Sequence, residues 1–557
     1  MKKILKSALS LALCGAMVLS MAACGAKKDE KPASDAAATE ADILNPVGTY
    51  PIVKTPIELR IFTISAPNVE DLATNDFTKY LEEKTGVKLK FETATRDNWK
   101  EKLNLALSTN DYPDMVAWFA PDMAKYGVKE NIFIQLDDLL EANAPNYVKM
   151  IGDNIGITRQ TDGKIYSMGS INDCYHCMYA KKMWVNMKWI KEMGVEVPTT
   201  TEEFYDVCKK FLEINPKGIA IGGANAGWHA KFEEFIMNSF AFSPGKQQNF
   251  SDETAVDGSG KVFCEATTEE YKEGLAYMKS LYDLGAIYEG DFTQTEEQLK
   301  TLVNQADQPV LFLPTGTISN HIDVATNPEL YANYEVMAPL KGPKGVQIAT
   351  FMKYDGVSEG GFAITDKCKY PEAALRWADY FYTTEGSLSG QFGAEKDKDW
   401  VLDPAGKVGL NGKPALYEVL NKYSGEAQNH DWQDVCISAR PAEFRLGAAV
   451  DPDVDMKGPN GLEALLYYST KEKMEPYAQD PTKVDLMPSL KLTDDESSEI
   501  QTIGVEVEKF IAENRVAFIT GKKNLEGDWD TYVKDFDRLG LPTLLKVYQT
   551  AYDRQMK

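Results

Sequence analysis

Positive charge is in short supply. Lys and Arg number 60 against 84 Asp and Glu, a formal net charge of −24 in 557 residues. A phosphate-backbone partner needs clustered basic side chains that release counterions on binding, so no nucleic-acid partner is expected. Histidine is scarcer still, four in all, at 176, 229, 321 and 430. No HxxxH and no second CxxC accompanies the run Cys174-Tyr175-His176-Cys177. A structural zinc site takes about four such ligands, and no metal is expected. Eight cysteines in a chain of this length are too few for a disulfide scaffold. Were the 174–177 segment a strand, residues three apart would face opposite sides. Two core or cleft thiols are therefore the expectation, with a local disulfide and a metal site as the alternatives. After residue 21 no apolar run approaches the roughly 18 residues of a membrane span.

What is present begins at the N-terminus. Lys2, Lys3 and Lys6 precede an apolar stretch from Ile4 to Met21, the pattern of an export signal rather than a spanning helix. Met21-Ala22-Ala23-Cys24 sets two small residues directly before a cysteine, which resembles a lipobox and marks Cys24 for lipidation. Cleavage after residue 23 removes three lysines and no acid, leaving a mature charge of −27. Residues 25–42 (GAKKDEKPASDAAATEAD) lack the apolar side chains of a core, and 24–50 are read as a lipidated tether. The body is expected on the outer face of the cell membrane, held there by lipid.

Strands and helices alternate through the next segment. Ile57–Phe62 reads as a strand, about 75–84 as a helix ended by Gly86, Val87–Phe91 as a strand, Trp99–Ser108 as a helix and Asp114–Trp118 as a strand. This β-α-β-α-β order is that of a parallel sheet. Thr200-Thr201-Glu202-Glu203 and Thr267-Thr268-Glu269-Glu270 both fit a capping box. Pro371 fits the first position of a helix, with Gly386 just past its end, and 499–520 and 528–539 are expected to be helical.

Catalytic motifs come close and fail. Gly386-Ser387-Leu388-Ser389-Gly390 has no serine at the centre of a GxSxG elbow. Gly258-Ser259-Gly260-Lys261 lacks the first glycine of a P-loop, where Ala255 stands, and Val262 follows the lysine. Asp451-Pro452-Asp453-Val454-Asp455 opens like a calcium loop, but Met456 and Leu462 occupy the positions of its Gly and Glu. No catalytic residue and no cofactor is expected.

Several segments, in order, resemble the extracellular solute-binding lipoproteins of ABC importers. They are the lipobox, Lys84-Thr85-Gly86-Val87, Tyr112-Pro113-Asp114-Met115, Asp162-Gly163-Lys164-Ile165-Tyr166, the run from Trp189 through Pro198-Thr199-Thr200-Thr201 to Phe204, and Pro371-Glu372-Ala373-Ala374-Leu375-Arg376-Trp377. The tail, Phe518-Ile519-Thr520-Gly521 with Asp528-Trp529-Asp530-Thr531-Tyr532-Val533, is similar to the long LipO-type subgroup of Gram-positive, mostly oligosaccharide-binding proteins. The resemblance spans nearly all of the mature chain. It implies a type II periplasmic-binding-protein-like α/β fold: two α/β lobes around a ligand cleft, with a helical C-terminal part. Residues 51–168 with about 355–435 would form one lobe, and 169–354 with about 436–557 the other. Hinges are expected near 167–173 and 351–356. Many long relatives carry an acid-rich calcium loop after the helix that follows the Pro-Thr-Thr segment. Here that place reads Ile214-Asn215-Pro216-Lys217-Gly218-Ile219-Ala220, without a carboxylate, so no calcium is assigned.

The resemblance also suggests a ligand site, residue by residue. Trp118, at the end of the third strand, matches the place where sugar-binding relatives set a tryptophan against the ligand. Tyr166 stands at the first crossover, and Thr315 follows a strand where relatives often carry an aromatic. Trp228-His229, Trp400 and Asp431-Trp432 read as loop aromatics suited to stacking on a sugar ring, and Arg440 as a local cation. The expected function is delivery of an oligosaccharide, neutral in character, to the transmembrane subunits of an ABC permease by a lipid-anchored monomer. A surface-attached carbohydrate-active enzyme and a sugar sensor subunit are the alternatives.

Overall fold

The computed structural model describes residues 40–556, except 67, 96–97, 246–249, 251–252, 307–308, 325, 353–355, 422–426, 452 and 459–460. The signal peptide, Cys24 and the tether up to residue 39 lie outside the described residues.

The β-α-β-α-β reading holds, with strands at Ile57–Ile64, Val87–Ala94 and Met115–Ala117 and helices at Asp76–Thr85 and Trp99–Thr109. The first helix starts where the Asn75 side chain accepts the Phe77 N–H at 3.0 Å and stops at Gly86 in the left-handed region. Ile57–Ile64 pairs in parallel with Val87–Ala94 over its whole length, and with Met115–Ala117 on its other side. Val357–Ile364 runs antiparallel beside Met115–Ala117, then Met168–Asn172 and Ala439–Arg440 complete six strands. The core on this sheet takes residues from 44–171, 362–382 and 432–439.

A second sheet has the order Tyr334–Val336, Met183–Asn186, Val310–Pro314, Ile219–Ile221, and a separate core. Helices Asp494–Ile519, Leu525–Leu539 and Leu541–Met556 bury their apolar faces in that core, with Phe510, Phe518, Trp529, Tyr532 and Phe536 forming one aromatic cluster. Within the same body a buried Arg515 guanidinium donates to Glu253 at 2.6 Å and to the Tyr271 hydroxyl at 2.9 Å. Lys491 reaches across to the first sheet, donating to the Ile157 carbonyl at 2.8 Å and pairing with Glu359. Burial lowers its ammonium to about 8. Among the described residues, no helix is long and apolar enough to cross a membrane.

Four local expectations are corrected. The tether expected to reach residue 50 is packed from Glu40 onward: Leu44 is buried in the core, Glu40 accepts the Ala373 N–H at 3.0 Å, and Arg376 donates to the Asn45 carbonyl. The Thr200 capping box forms as expected with Glu203, but at the second candidate Thr268 is the cap and accepts from Tyr271, so no reciprocal glutamate bond is made. Pro371 does open a helix, yet that helix ends at Asp379. Gly386 lies inside the next one, Thr384–Phe392, and donates its N–H to the capping Thr383 hydroxyl.

The last correction concerns Trp432, read as a loop aromatic. It sits within a run without regular structure, yet its ring is buried edge-on to Phe77 at 5.2 Å and stacked on Phe381 at 5.8 Å, and its Nε1 donates to Thr78 at 2.8 Å. A loop can bury a tryptophan when another element supplies the core, here the helix Asp76–Thr85. Trp432→Ala is expected to cost roughly 3–5 kcal/mol, as large-to-small changes in a packed core do. Denaturant unfolding measures the loss, and unchanged stability would contradict this packing.

Candidate functional site

The two sheets are joined where their strands end. Met168–Asn172 leaves the first sheet at Asp173 and the chain enters the second at Met183, while Val357–Ile364 returns beside it. The Asn172 N–H donates to the Gly356 carbonyl at 2.6 Å, and the Asp173 N–H to the Arg440 carbonyl at 2.9 Å. Three passages of the chain between the sheets therefore meet at two consecutive residues.

Cationic side chains gather here. Arg445 donates to Asn172 Oδ1 at 2.9 Å and pairs with Glu463 at 3.4 Å. The Arg440 Nε is buried and makes no hydrogen bond, an uncommon state for so strong a donor. Lys182, also buried, donates to the carbonyls of His176 and Tyr179 at 2.8 and 2.7 Å, and burial lowers its ammonium to about 7. Burial first, then the charges of Lys182 and Arg445, hold the His176 imidazole down at about 2, so it is neutral at physiological pH. The Asp173 carboxyl is raised by burial, against the pull of Arg445.

Four of the expected ligand residues are only partly buried. Trp118 is half-buried just past Met115–Ala117, at φ +71°, and its N–H donates to the Gly361 carbonyl at 2.8 Å. That contact depends on a bulge between Ser358 and Gly361 in the neighbouring strand, where a Cβ on Gly360 would meet the Ala120 Cα at 2.4 Å. Trp228 is half-buried over Gly316, so close that a Cβ there would meet its ring at 2.4 Å. Its edge faces His176, with ring centres 6.3 Å apart. His229, at φ +57°, sets its Nδ1 2.8 Å from Glu234 Oε2. Burial would raise the Glu234 carboxyl, but the His229 hydrogen bond and nearby Lys181, His229 and Lys231 bring it down to about 2. Arg440 is the fourth.

The other four are placed differently. The Tyr166 ring is buried over Gly127, and its hydroxyl donates to Asp162 Oδ2 at 2.8 Å. Burial, reinforced by that carboxylate, raises it to about 12. Thr315 is buried, its hydroxyl spent on the Thr317 carbonyl at 3.0 Å and its own carbonyl on Trp184 Nε1 at 3.0 Å. Trp400 is a strand residue rather than a loop aromatic: it packs with Leu388, Tyr417 and Phe444 and donates Nε1 to the Gly393 carbonyl at 2.9 Å. Trp432 lies in the first core.

The readings from sequence missed Arg445 and Lys182, for which no local signal exists, because each acquires its role from a strand end distant in the chain. The expectation of free thiols at 174 and 177 is also overturned: the two sulfurs are bonded. The strand premise fails there, since residues 175–179 form a turn of 3-10 helix that brings the Cα atoms to 5.2 Å.

A cavity of about 450 Å³ opens beside this first sheet, lined by residues that include Ile64, Ser65, Val69, Asp71, Phe91 and Val435. It lies against the loop after the first strand, and none of Trp118, Trp228, His229 and Arg440 lines it.

Known proteins share this architecture. Chains that superpose include the fructooligosaccharide-binding protein FusA of Streptococcus pneumoniae in complex with kestose, with a TM-score of 0.72 at 22% identity, covering 90% of this chain and 99% of that one. An extracellular solute-binding protein from Bifidobacterium longum subsp. infantis superposes with a TM-score of 0.70 at 20% identity, again covering 90% and 99%. In sequence, the fructooligosaccharide ABC transporter substrate-binding protein FusA of S. pneumoniae serotype 4 is 24% identical over 98% of this chain and 97% of its own. Lipoprotein LipO of Bacillus subtilis is 23% identical over 61% and 67%. The likeness to type II periplasmic-binding-protein-like structures confirms the expected fold class. The family model for bacterial extracellular solute-binding proteins matches residues 66–387, more than half of the chain, and the chain belongs to that family.

Proposed function

We propose that this protein is a lipid-anchored solute-binding protein that captures a neutral oligosaccharide between two lobes and hands it to the transmembrane subunits of an ABC permease. The observation that carries the reading is the meeting of three chain passages at Asn172 and Asp173, with separate cores on either side. Two bodies whose three connecting passages meet at one node can rotate about it, and a ligand that touches both biases the closed form. The full-length likeness to a fructooligosaccharide-binding protein supports the sugar class. Residues 40–172 with about 356–440 form one lobe of the proposal, and the remainder of the body the other.

Trp118 and Trp228 offer aromatic faces to the sugar, while Arg440 Nε and His229 supply polar contacts. A guanidinium donates to sugar hydroxyls as well as to carboxylates, so the basic node does not require an acidic ligand. The excess of negative charge over the chain repels anions at long range, which favours an uncharged ring. Tyr166, Thr315, Trp400 and Trp432 are left out of the site because their polar atoms are already bonded inside the protein. No group in the node is poised as a nucleophile with a base, and the reading is of a binder; release of products from kestose would instead favour the enzyme alternative.

Three expectations test the proposal. With kestose and a panel of other neutral oligosaccharides in calorimetry, Trp118→Ala should weaken binding about tenfold or more, with affinity nearly independent of salt. A steep salt dependence would point to a charged ligand. Small-angle scattering should show a smaller radius of gyration with a bound oligosaccharide, and an unchanged radius at saturation counts against closure. Cys24→Ala should release the protein from cells into the medium, because the two acyl chains that hold it stably are gone. Retention on the membrane would refute the lipid anchor.

A further inference from the structure

The first passage between the sheets carries chemistry that sugar binding does not use. Cys174 and Cys177 close a ring of only four residues. A loop so short takes little freedom from the unfolded chain, which makes the bridge a weak staple for the fold. Nor does the fold rely on other bridges among the described residues: Cys208, Cys264 and Cys436 are buried thiols and Cys368 a partly exposed one.

What the bridge does hold is the crossing. It pins the turn Tyr175–Tyr179 directly after Asp173, the residue bonded to the third passage. The same turn is bonded to the second passage, since the Met178 carbonyl accepts the Met352 N–H at 2.7 Å and the Tyr179 ring lies 5.0 Å from that of Phe351. Lys182 ties its carbonyls from the far side. The two residues differ in burial: Cys174 is buried, Cys177 only partly so, and the His176 ring nitrogens lie 3.9 Å from the Cys177 sulfur.

We propose that Cys174–Cys177 is a thiol–disulfide exchange site for a dithiol reductant, and that its redox state sets the stiffness of the passages between the sheets. A thiolate of the reductant attacks the Sγ of Cys177, the less buried of the two residues. The S–S bond breaks, and Cys174 Sγ leaves and takes up a proton. The second thiolate of the reductant then attacks its own sulfur in the mixed disulfide, and Cys177 is released and protonated. Two electrons and two protons have passed to the protein, and the reductant departs as its disulfide. With the ring open, the turn keeps only its hydrogen bonds, and the segment that both neighbouring passages lean on loosens. The proposal concerns the crossing itself and stands whichever ligand the protein takes.

The experiment uses the intact protein without ligand or denaturant. Dithiothreitol is added at neutral pH, the thiols are alkylated and located by peptide mass, and amide hydrogen exchange is followed on the same samples. Cys174 and Cys177 should be alkylated together while Cys208, Cys264 and Cys436 stay protected. Exchange in 174–182 and at 351–352 should rise about tenfold or more while the C-terminal helices are unaffected. The Cys174→Ser, Cys177→Ser double variant should show the fast exchange without reductant and no further response to it. A bridge that resists the reductant, that opens only as the buried thiols also become reactive, or that opens with no change in exchange overturns the proposal. These outcomes are read without any sugar, so failure here leaves the binding reading untouched.

Discussion

Two backbone amides hold this molecule together at its narrowest point. Asn172 and Asp173 donate to Gly356 and Arg440, carbonyls that stand 184 and 267 residues further along the chain. A hydrogen bond of this kind contributes only about 0.5–1.5 kcal/mol net. Its importance lies in position rather than strength. With these bonds in place, the three passages between the sheets meet at one point. Arg445 and Lys182 reinforce the node from the side-chain level, the first on Asn172 and the second on the turn that follows.

The node also explains the local electrostatics of an acidic protein. Carbonyl groups converge where strands and turns end, and buried carbonyls need donors. Lys182 meets part of that demand, on the carbonyls of His176 and Tyr179, while Arg445 is bonded to the Asn172 side chain. The Nε of Arg440, buried and without a hydrogen bond, is what makes the place a candidate for ligand contact.

Much of the first lobe was legible because its signals are local. Asn75, Gly86 and the alternation of Ile57-Glu58-Leu59-Arg60-Ile61-Phe62 act over a few residues, and the strands and helices fall where those residues say. The site was legible only where a side chain follows directly from a strand end, as Trp118 does. Trp400 and Trp432 misled because a stretch lacking periodicity was taken to be unpacked, whereas the distant helix Asp76–Thr85 covers Trp432, and Leu388, Tyr417 and Phe444 cover Trp400. Cys174 and Cys177 misled for a related reason: a two-residue period was assumed where the chain makes a three-residue turn, and the period decides whether two sulfurs can meet. Gly386 shows the same limit at a helix end, since two short helices in succession carry the marks of one long one.

The strand Val357–Ile364 occupies the middle of the first sheet, between Met115–Ala117 and Met168–Asn172. A ribosome delivers the chain from its N-terminus, so both neighbours exist long before the strand that separates them. Until residue 364 is available the two flanking strands have a gap of one strand between them, and an early direct pairing would exclude the native partner. The strands of the second sheet, Met183–Asn186 to Tyr334–Val336, lie entirely within the intervening segment and are made in the meantime. Closing a loop of nearly two hundred residues costs only slowly growing entropy, but it orders events in time, as non-local pairing must wait for its last member. The insertion that gives the protein its axis thus keeps the first sheet open until the strands of the second have been made, and the core of the second body in turn waits for the C-terminal helices.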